Sequence, residues 1–219
     1  MGDKNKYIFI SDRESKKSVS YLFCKRVIDI IGSLAGLILL SPVFLLVSIA
    51  LKLESPKSKV IFVQRRNGKY AKEFDMYKFR SMVANAENML YEVMEDNEAD
   101  GPVFKMKNDP RITKVGKFIR KTSIDELPQL VNVLKGDMSL VGPRPPIPHE
   151  VKQYTNHHMK RLSIKPGLTC YWQVCARHSV TFEEWIDLDI KYIKERSLLV
   201  DIKLILKTIL VLFGDKNAC

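Results

Sequence analysis

One uncharged run limits what this chain can fold into more than any other feature. From Ile30 to Leu51 it reads "IIGSLAGLILLSPVFLLVSIAL". As a straight helix rising about 1.5 Å per residue, it would cover the roughly 30 Å hydrocarbon layer of a bilayer. A core helix of this length and apolarity would be unusual in so small a domain. A long polar stretch precedes the run and no small-residue cleavage pattern is evident, so it is not a signal peptide. The run is expected to enter a membrane.

Whether it crosses turns on two features. Pro42, after Ser41 at the midpoint, removes the amide that would bond the Ile38 carbonyl and crowds that turn. Basic residues also lie on both sides: Lys16, Lys17, Lys25 and Arg26 before, Lys52, Lys57, Lys59, Arg65 and Arg66 after. The positive-inside rule keeps both flanks cytoplasmic. A re-entrant helix-break-helix satisfies both flanks; a single-span anchor is the plainer alternative. Gly32 and Gly36 allow a close helix approach or a homo-oligomer contact. Asp29, one turn beyond Lys25, is placed to pair with it.

The 219 residues, 46% hydrophobic and 28% charged, suit one ordinary domain and exclude global disorder. A net charge of +11 points to anionic partners: nucleic acid, anionic lipid or phosphorylated substrates. No nucleic-acid recognition motif accompanies it, so no nucleic acid is expected. Cys24, Cys170, Cys175 and Cys219 form no CxxC pair and read as reduced thiols. His157 and His158 point about 100° apart on a helix and read as surface residues.

Beyond Ser55-Pro56 the chain turns polar. "KVIFVQRR" and "KEFDMYKFRSM" suit strands joined through an Asn67-Gly68 turn, with Phe74, Met76, Lys78 and Arg80 on one face. Ala84 to Glu98 reads as an amphipathic surface helix, "DGPVFK" and "NDPRI" as loops, and Val115 to Lys121 as a short basic helix. In "TSIDELPQL", Ser123 and Glu126 have capping-box spacing. Pro128, however, favours a helix starting only near Leu127, with Asp125 and Glu126 in the turn before it. Leu127, Leu130, Val131 and Leu134 then form one face and Gly136 ends the helix. From these residues alone the acids are either helix-dipole partners, contributing about 0.3–1 kcal/mol, or catalytic groups. Prolines around Arg144 in "GPRPP" present a guanidinium at little entropic cost, suited to phosphate, carboxylate or nucleotide; a solvated arginine on a rigid loop is the alternative.

Taken together, "DPRITKVGKFIRKTSIDELPQLVNVLKGDMSLVGPRPP", "YKFRSM", "NEADGPVFKMKNDPR", "KPGLTCYWQV" and the Ser-Pro-broken apolar run resemble the bacterial sugar transferase family, the monotopic polyprenyl-phosphate phosphoglycosyl transferases. The similarity runs from about Phe23 to Phe213. Larger members carry an additional N-terminal membrane bundle, which a chain of 219 residues is expected to lack. The resemblance implies transfer of a sugar 1-phosphate from a UDP-sugar to undecaprenyl (polyprenyl) phosphate, through a covalent phosphosugar-enzyme intermediate. It places the family's catalytic Asp-Glu dyad on Asp125 and Glu126 and implies Mg2+, with both acids as candidate metal ligands. Asp125 is the candidate nucleophile, since a carboxylate attacking phosphorus forms an acyl phosphate. Lys78, Arg80, Arg120 and Arg144 are the candidate substrate-binding cations. The turn in "RRNGKYAKEF" and Ala176 in "VCARHSV" depart from the family pattern and leave the donor sugar open, with unmodified hexose favoured.

The expected architecture is α+β: a polar tail over 1–20, a re-entrant hairpin over 21–53, a small mixed catalytic domain over 54–195 and a C-terminal interfacial helix over 196–214. The last, "SLLVDIKLILKTILVLF", carries Asp201, Lys203 and Lys207 in an apolar run and suits a helix lying in the interface, with a core helix or second insertion as alternatives. The expected location is the bacterial inner membrane, with the catalytic domain on the cytoplasmic face. A membrane-tethered scaffold with a degenerate site is the competing function; the intact Asp125, Glu126, Arg120 and Arg144 argue against it.

Overall fold

A computed structural model describes residues 9–10, 17–89, 93, 97–98, 101–103, 106, 108–175 and 180–212. The apolar run is two helices, α1 (Val19–Leu39) and α2 (Ser41–Glu54), bent by 58°. No single described helix is long and apolar enough to cross a membrane. Pro42 opens α2, where its missing N–H does no damage. The Ile38 carbonyl that it would leave without a partner accepts instead from Ser41 Oγ at 2.8 Å. The Ser-Pro pair thus supplies both the break and its hydrogen-bond repair.

Helix α1 is polar inside and apolar outside, the inverse of a helix in a water-soluble domain. Its buried residues are Tyr21, Asp29 and Ser33, whereas Phe23, Ile31, Ile38 and Leu39 are 63–77% exposed. Asp29 does not pair with Lys25. It accepts from Ser139 Oγ and from the Leu140 amide, both at 2.9 Å, while Lys25 bonds Asp201 at 3.0 Å. The two glycines face the polar domain: a Cβ on Gly32 would lie 2.7 Å from Leu140, and one on Gly36 3.1 Å from Leu130.

The polar domain is mixed helix and sheet. Strands β1 (Ile61–Asn67) and β2 (Glu73–Phe79) pair antiparallel, with Val63 opposite Tyr77. Strands β3 (Ser139–Val141) and β4 (Gly167–Thr169) pair in parallel. Around these pack α3 (Lys114–Lys121), α4 (Gln129–Lys135), the short α5 (Pro148–Val151), α6 (Asn156–Met159) and α7 (Tyr171–Cys175), then α8 (Phe182–Glu195) and α9 (Leu198–Leu212). Both β1 and β2 match the sequence reading, as do α3 and the Gly136 stop of α4 at φ 90°. Residues 84–87 form turns; much of the helix expected over 84–98 lies outside the described residues, as do Ala176 and Cys219.

Hydrogen bonds fasten these pieces. Arg26 caps α4 by donating to the Val133 and Leu134 carbonyls at 2.6 and 2.7 Å. Buried Asp201 on α9 accepts from Tyr21, Lys25 and Tyr192, tying α1, α8 and α9 together. Like α1, α9 leaves a row of apolar residues outside, including Leu199, Leu206 and Leu210.

Candidate active site

The two acids lie in a one-turn 3-10 helix, Ile124–Glu126, between α3 and α4. Ser123 enters that turn in the left-handed region at φ 57° and makes no side-chain cap. The capping box suggested by the Ser123–Glu126 spacing therefore does not form. Regular helix starts only after Pro128, the order that the proline favours, so both carboxylates stand ahead of α4. The inward residues of α4 also differ from the expected apolar face: Gln129, Leu130, Asn132 and Val133 are buried. Asn132 explains the shift. Its side chain accepts from the Tyr77 amide at 3.0 Å and donates to the Asp75 carbonyl at 2.7 Å, extending the ladder of β2 and fixing α4 against that strand.

This fastening brings Lys78 of β2 to the acids. Lys78 Nζ donates to Glu126 Oε1 at 2.7 Å, and Arg144 approaches the same oxygen at 3.3 Å. Burial pushes the Glu126 carboxyl upward, but Lys78 and Arg144 outweigh it and hold the group at about 2. Asp125 is more buried, only 7% exposed. Burial raises its pKa, partly opposed by the Lys78 charge and reinforced by the Glu126 charge. Adjacent carboxylates in one turn thus have opposite shifts. Among the described residues Asp125 has no ion-pair partner, whereas Glu126 has two.

Arg144 is presented by a braced loop. The backbones of β3 and β4 run so close that a Cβ on Gly167 would fall 2.1 Å from the Gly142 amide nitrogen. Gly167 N–H donates to the Pro143 carbonyl at 2.9 Å, immediately before Arg144. Arg66 of β1 donates to the Pro145 carbonyl at 2.9 Å, and Asn67 N–H to that of Pro146 at 2.9 Å. Burial, with the charge of Arg144 beside it, pulls Arg66 down to about 10. Arg66, Lys78, Glu126, Gln129, Arg144 and Gln173 line one narrow cleft. Its free space of about 10 Å³ has room for a single water.

Of the candidate cations, Lys78 and Arg144 meet at Glu126. Arg120 lies exposed in the last turn of α3, and its charge favours ionised Asp125. Arg80 does not line the cleft. It is buried and donates to the Lys59 and Leu51 carbonyls at 2.7 and 2.8 Å, clasping the C-terminal turn of α2. In the sequence Arg66 reads only as a basic flank of the apolar run. The alternation of β1 could have found it, since it shares a face with Gln64, which accepts from its Nε and Nη2. Asn132 carried no comparable signal.

The model of the bacterial sugar transferase family matches residues 20–215. The "Galactosyl transferase CpsE" of Streptococcus agalactiae is 47% identical over 89% of this chain and 43% of its own length. The "Undecaprenyl-phosphate galactose phosphotransferase" of Salmonella typhimurium is 43% identical over 95% of this chain and 44% of its own. The chain thus spans less than half the length of these two relatives. The "Exopolysaccharide production protein ExoY" of Sinorhizobium fredii is 38% identical over 84% of this chain and 83% of its own length.

Proposed function

Because the chain belongs to the bacterial sugar transferase family, we propose that it transfers a sugar 1-phosphate from a UDP-sugar to undecaprenyl phosphate, releasing UMP, as the first membrane step of surface-glycan assembly. The observation that carries this reading is the asymmetry of the acids: Glu126 is pinned between Lys78 and Arg144, and buried Asp125 is left without an ion pair. In the first half-reaction an Asp125 oxygen attacks the sugar-bearing phosphorus. A P–O bond to that phosphorus breaks, and UMP departs with the bonding electrons. In the second half-reaction an oxygen of the polyprenyl phosphate attacks the same phosphorus, and the Asp125 carboxylate is the leaving group. Lys78 and Arg144 hold phosphate oxygens throughout, and the charge of Arg120 favours ionised Asp125.

Among the described residues no group of three or more His, Cys, Asp or Glu could form a metal cage. Two carboxylates suit Mg2+, which is commonly held by one or two acids with water and substrate phosphates completing its shell. Asp125 and Glu126 would hold it as it arrives with the donor. When bound, it neutralises diphosphate charge.

The inverted polarity of α1 and the apolar outer row of α9 support a monotopic placement on the inner face of the bacterial cytoplasmic membrane. Residues 21–53 then form the re-entrant hairpin, 54–195 the catalytic domain and 196–214 the interfacial helix. Because the second phosphate arrives on a lipid, the reading requires the acids to lie near the membrane plane. The names of the two longer relatives favour galactose as the donor sugar. The test is a panel of UDP-sugars incubated with enzyme and Mg2+ but no lipid. The matching donor should release about one UMP per site and add one sugar phosphate to the protein mass at Asp125, discharged by polyprenyl phosphate. Normal turnover in folded Asp125→Asn would sink the reading.

A further inference from the structure

Arg161 does not line the acids' cleft and is 1% exposed, so it cannot meet a substrate. Its Nη2 makes two contacts: it donates to the Arg144 carbonyl at 3.0 Å and lies 2.6 Å from Asp189 Oδ2 on α8. Its Nη1 donates to the Tyr154 hydroxyl at 2.9 Å, and the guanidinium stacks over the Trp185 ring at 4.6 Å. Four groups therefore fix the guanidinium in position and plane. Arg161 and Asp189 side chains are both fully buried.

A buried ion pair of this kind is a poor source of stability, because the desolvation of two charges offsets their attraction and apolar replacements often do as well. What it supplies here is geometry. The carbonyls of residues 144, 145 and 146 each accept a hydrogen bond, from Arg161, Arg66 and the Asn67 amide. Prolines at 143 and 145 fix φ on either side. With its carbonyl held as well, Arg144 keeps only side-chain torsions as freedom. We propose that Arg161, anchored by Asp189, is a positioning residue that sets the backbone of Arg144 so that its guanidinium meets the donor diphosphate. The proposal rests on the donor-binding role of Arg144 given above.

The experiment is a double-mutant cycle on the full chain in detergent, reading UMP release against UDP-sugar concentration. Lysine at 161 keeps a charge for Asp189 but has one nitrogen and no planar fork, so it cannot serve every partner. Arg161→Lys should raise donor KM about three- to tenfold, the worth of one hydrogen bond, with kcat at saturating donor little changed. In an Arg144→Ala background it should have no further effect, because both changes act through one contact. Unchanged donor KM in Arg161→Lys, or an equal loss in both backgrounds, would overturn the positioning role alone. Unchanged donor kinetics in Arg144→Ala would overturn the role of Arg144 and this inference with it. If Arg161→Lys fails to fold, the paired replacement Arg161→Met with Asp189→Leu removes both charges together. It should show the same rise in donor KM and the same silence in the Arg144→Ala background; additive losses there would overturn the proposal equally.

Discussion

Lys78 and Glu126, 48 residues apart in sequence, meet at 2.7 Å between Nζ and Oε1. Burial lowers the lysine pKa and the Glu126 charge opposes that drop. The same ammonium acts on Asp125, favouring its ionised form against burial. If Asp125 is the nucleophile, as proposed, only its ionised form can attack phosphorus, so the donor half-reaction should fall on the acid side with an apparent pKa above the usual aspartate value. Removing a positive charge raises a neighbouring carboxyl further. In Lys78→Met the acid limb of the UMP burst should therefore move to higher pH. A limb that stays in place would disconnect Lys78 from Asp125.

Glu126 also occupies the two cations that the proposed reaction assigns to the donor. With its carboxylate between Lys78 and Arg144, the cleft has room for about one water, whereas nucleotide sites usually measure several hundred Å³. On the proposed reaction, the diphosphate takes over the cations as Glu126 withdraws. Glu126→Gln removes the competing charge while keeping the shape. UDP binding without Mg2+, measured by calorimetry, should tighten by up to about tenfold, a fraction of the Coulomb energy available at such distances, even as turnover falls. Weaker UDP binding in this variant would show that Glu126 does not compete with the donor.

Arg80 gives the contrasting case. Its donors are spent on the Leu51 and Lys59 carbonyls. Arg80→Met should cost about 1–3 kcal/mol by leaving two carbonyls unpaired, seen as a lower midpoint in thermal unfolding. Donor KM of the folded fraction should stay within about twofold. A large rise in KM with unchanged stability would return Arg80 to the substrate site.

The contrast between Lys78 and Arg80 shows where the sequence was legible. Period-two alternation placed both on one strand face, and the strand is there, but it ends at Phe79. Arg80 therefore turns to the helix beneath it. Local chemistry also read correctly at Pro128, which delayed α4, and at Gly136, which ended it. The capping spacing of Ser123 and Glu126 misled because a stronger partner, Lys78, claims Glu126 from another element. Asn132 and Arg161 could not be read at all: their work is to satisfy backbone groups 57 and 17 residues away, and no local pattern encodes such a pairing. The apolar run was legible in composition and in its break. The side that would face the domain was not, because its contacts are with Ser139, Leu140 and Leu130.

Those contacts also bear on how the hairpin sits. The first arm is tied to the polar domain through Arg26 and Asp29, bonded to the Val133, Leu134, Ser139 and Leu140 groups. The second arm is tied to the same domain through Arg80 at the Leu51 carbonyl and Glu54 at the Val115 amide, 3.0 Å away. A helix crossing the bilayer would carry these two anchor points to opposite faces, so at least one set of bonds would have to break. Single cysteines at Ser20 and Ser58, with native thiols replaced, should accordingly both react from the cytoplasmic side of sealed vesicles. Pro42→Ala restores the missing amide and favours a straight helix, but each lost buried bond costs about 1–3 kcal/mol. The variant should keep both labels on one side while unfolding at a lower temperature. Reaction of the two cysteines from opposite sides in the unmodified Ser41-Pro42 background would exclude the one-leaflet hairpin.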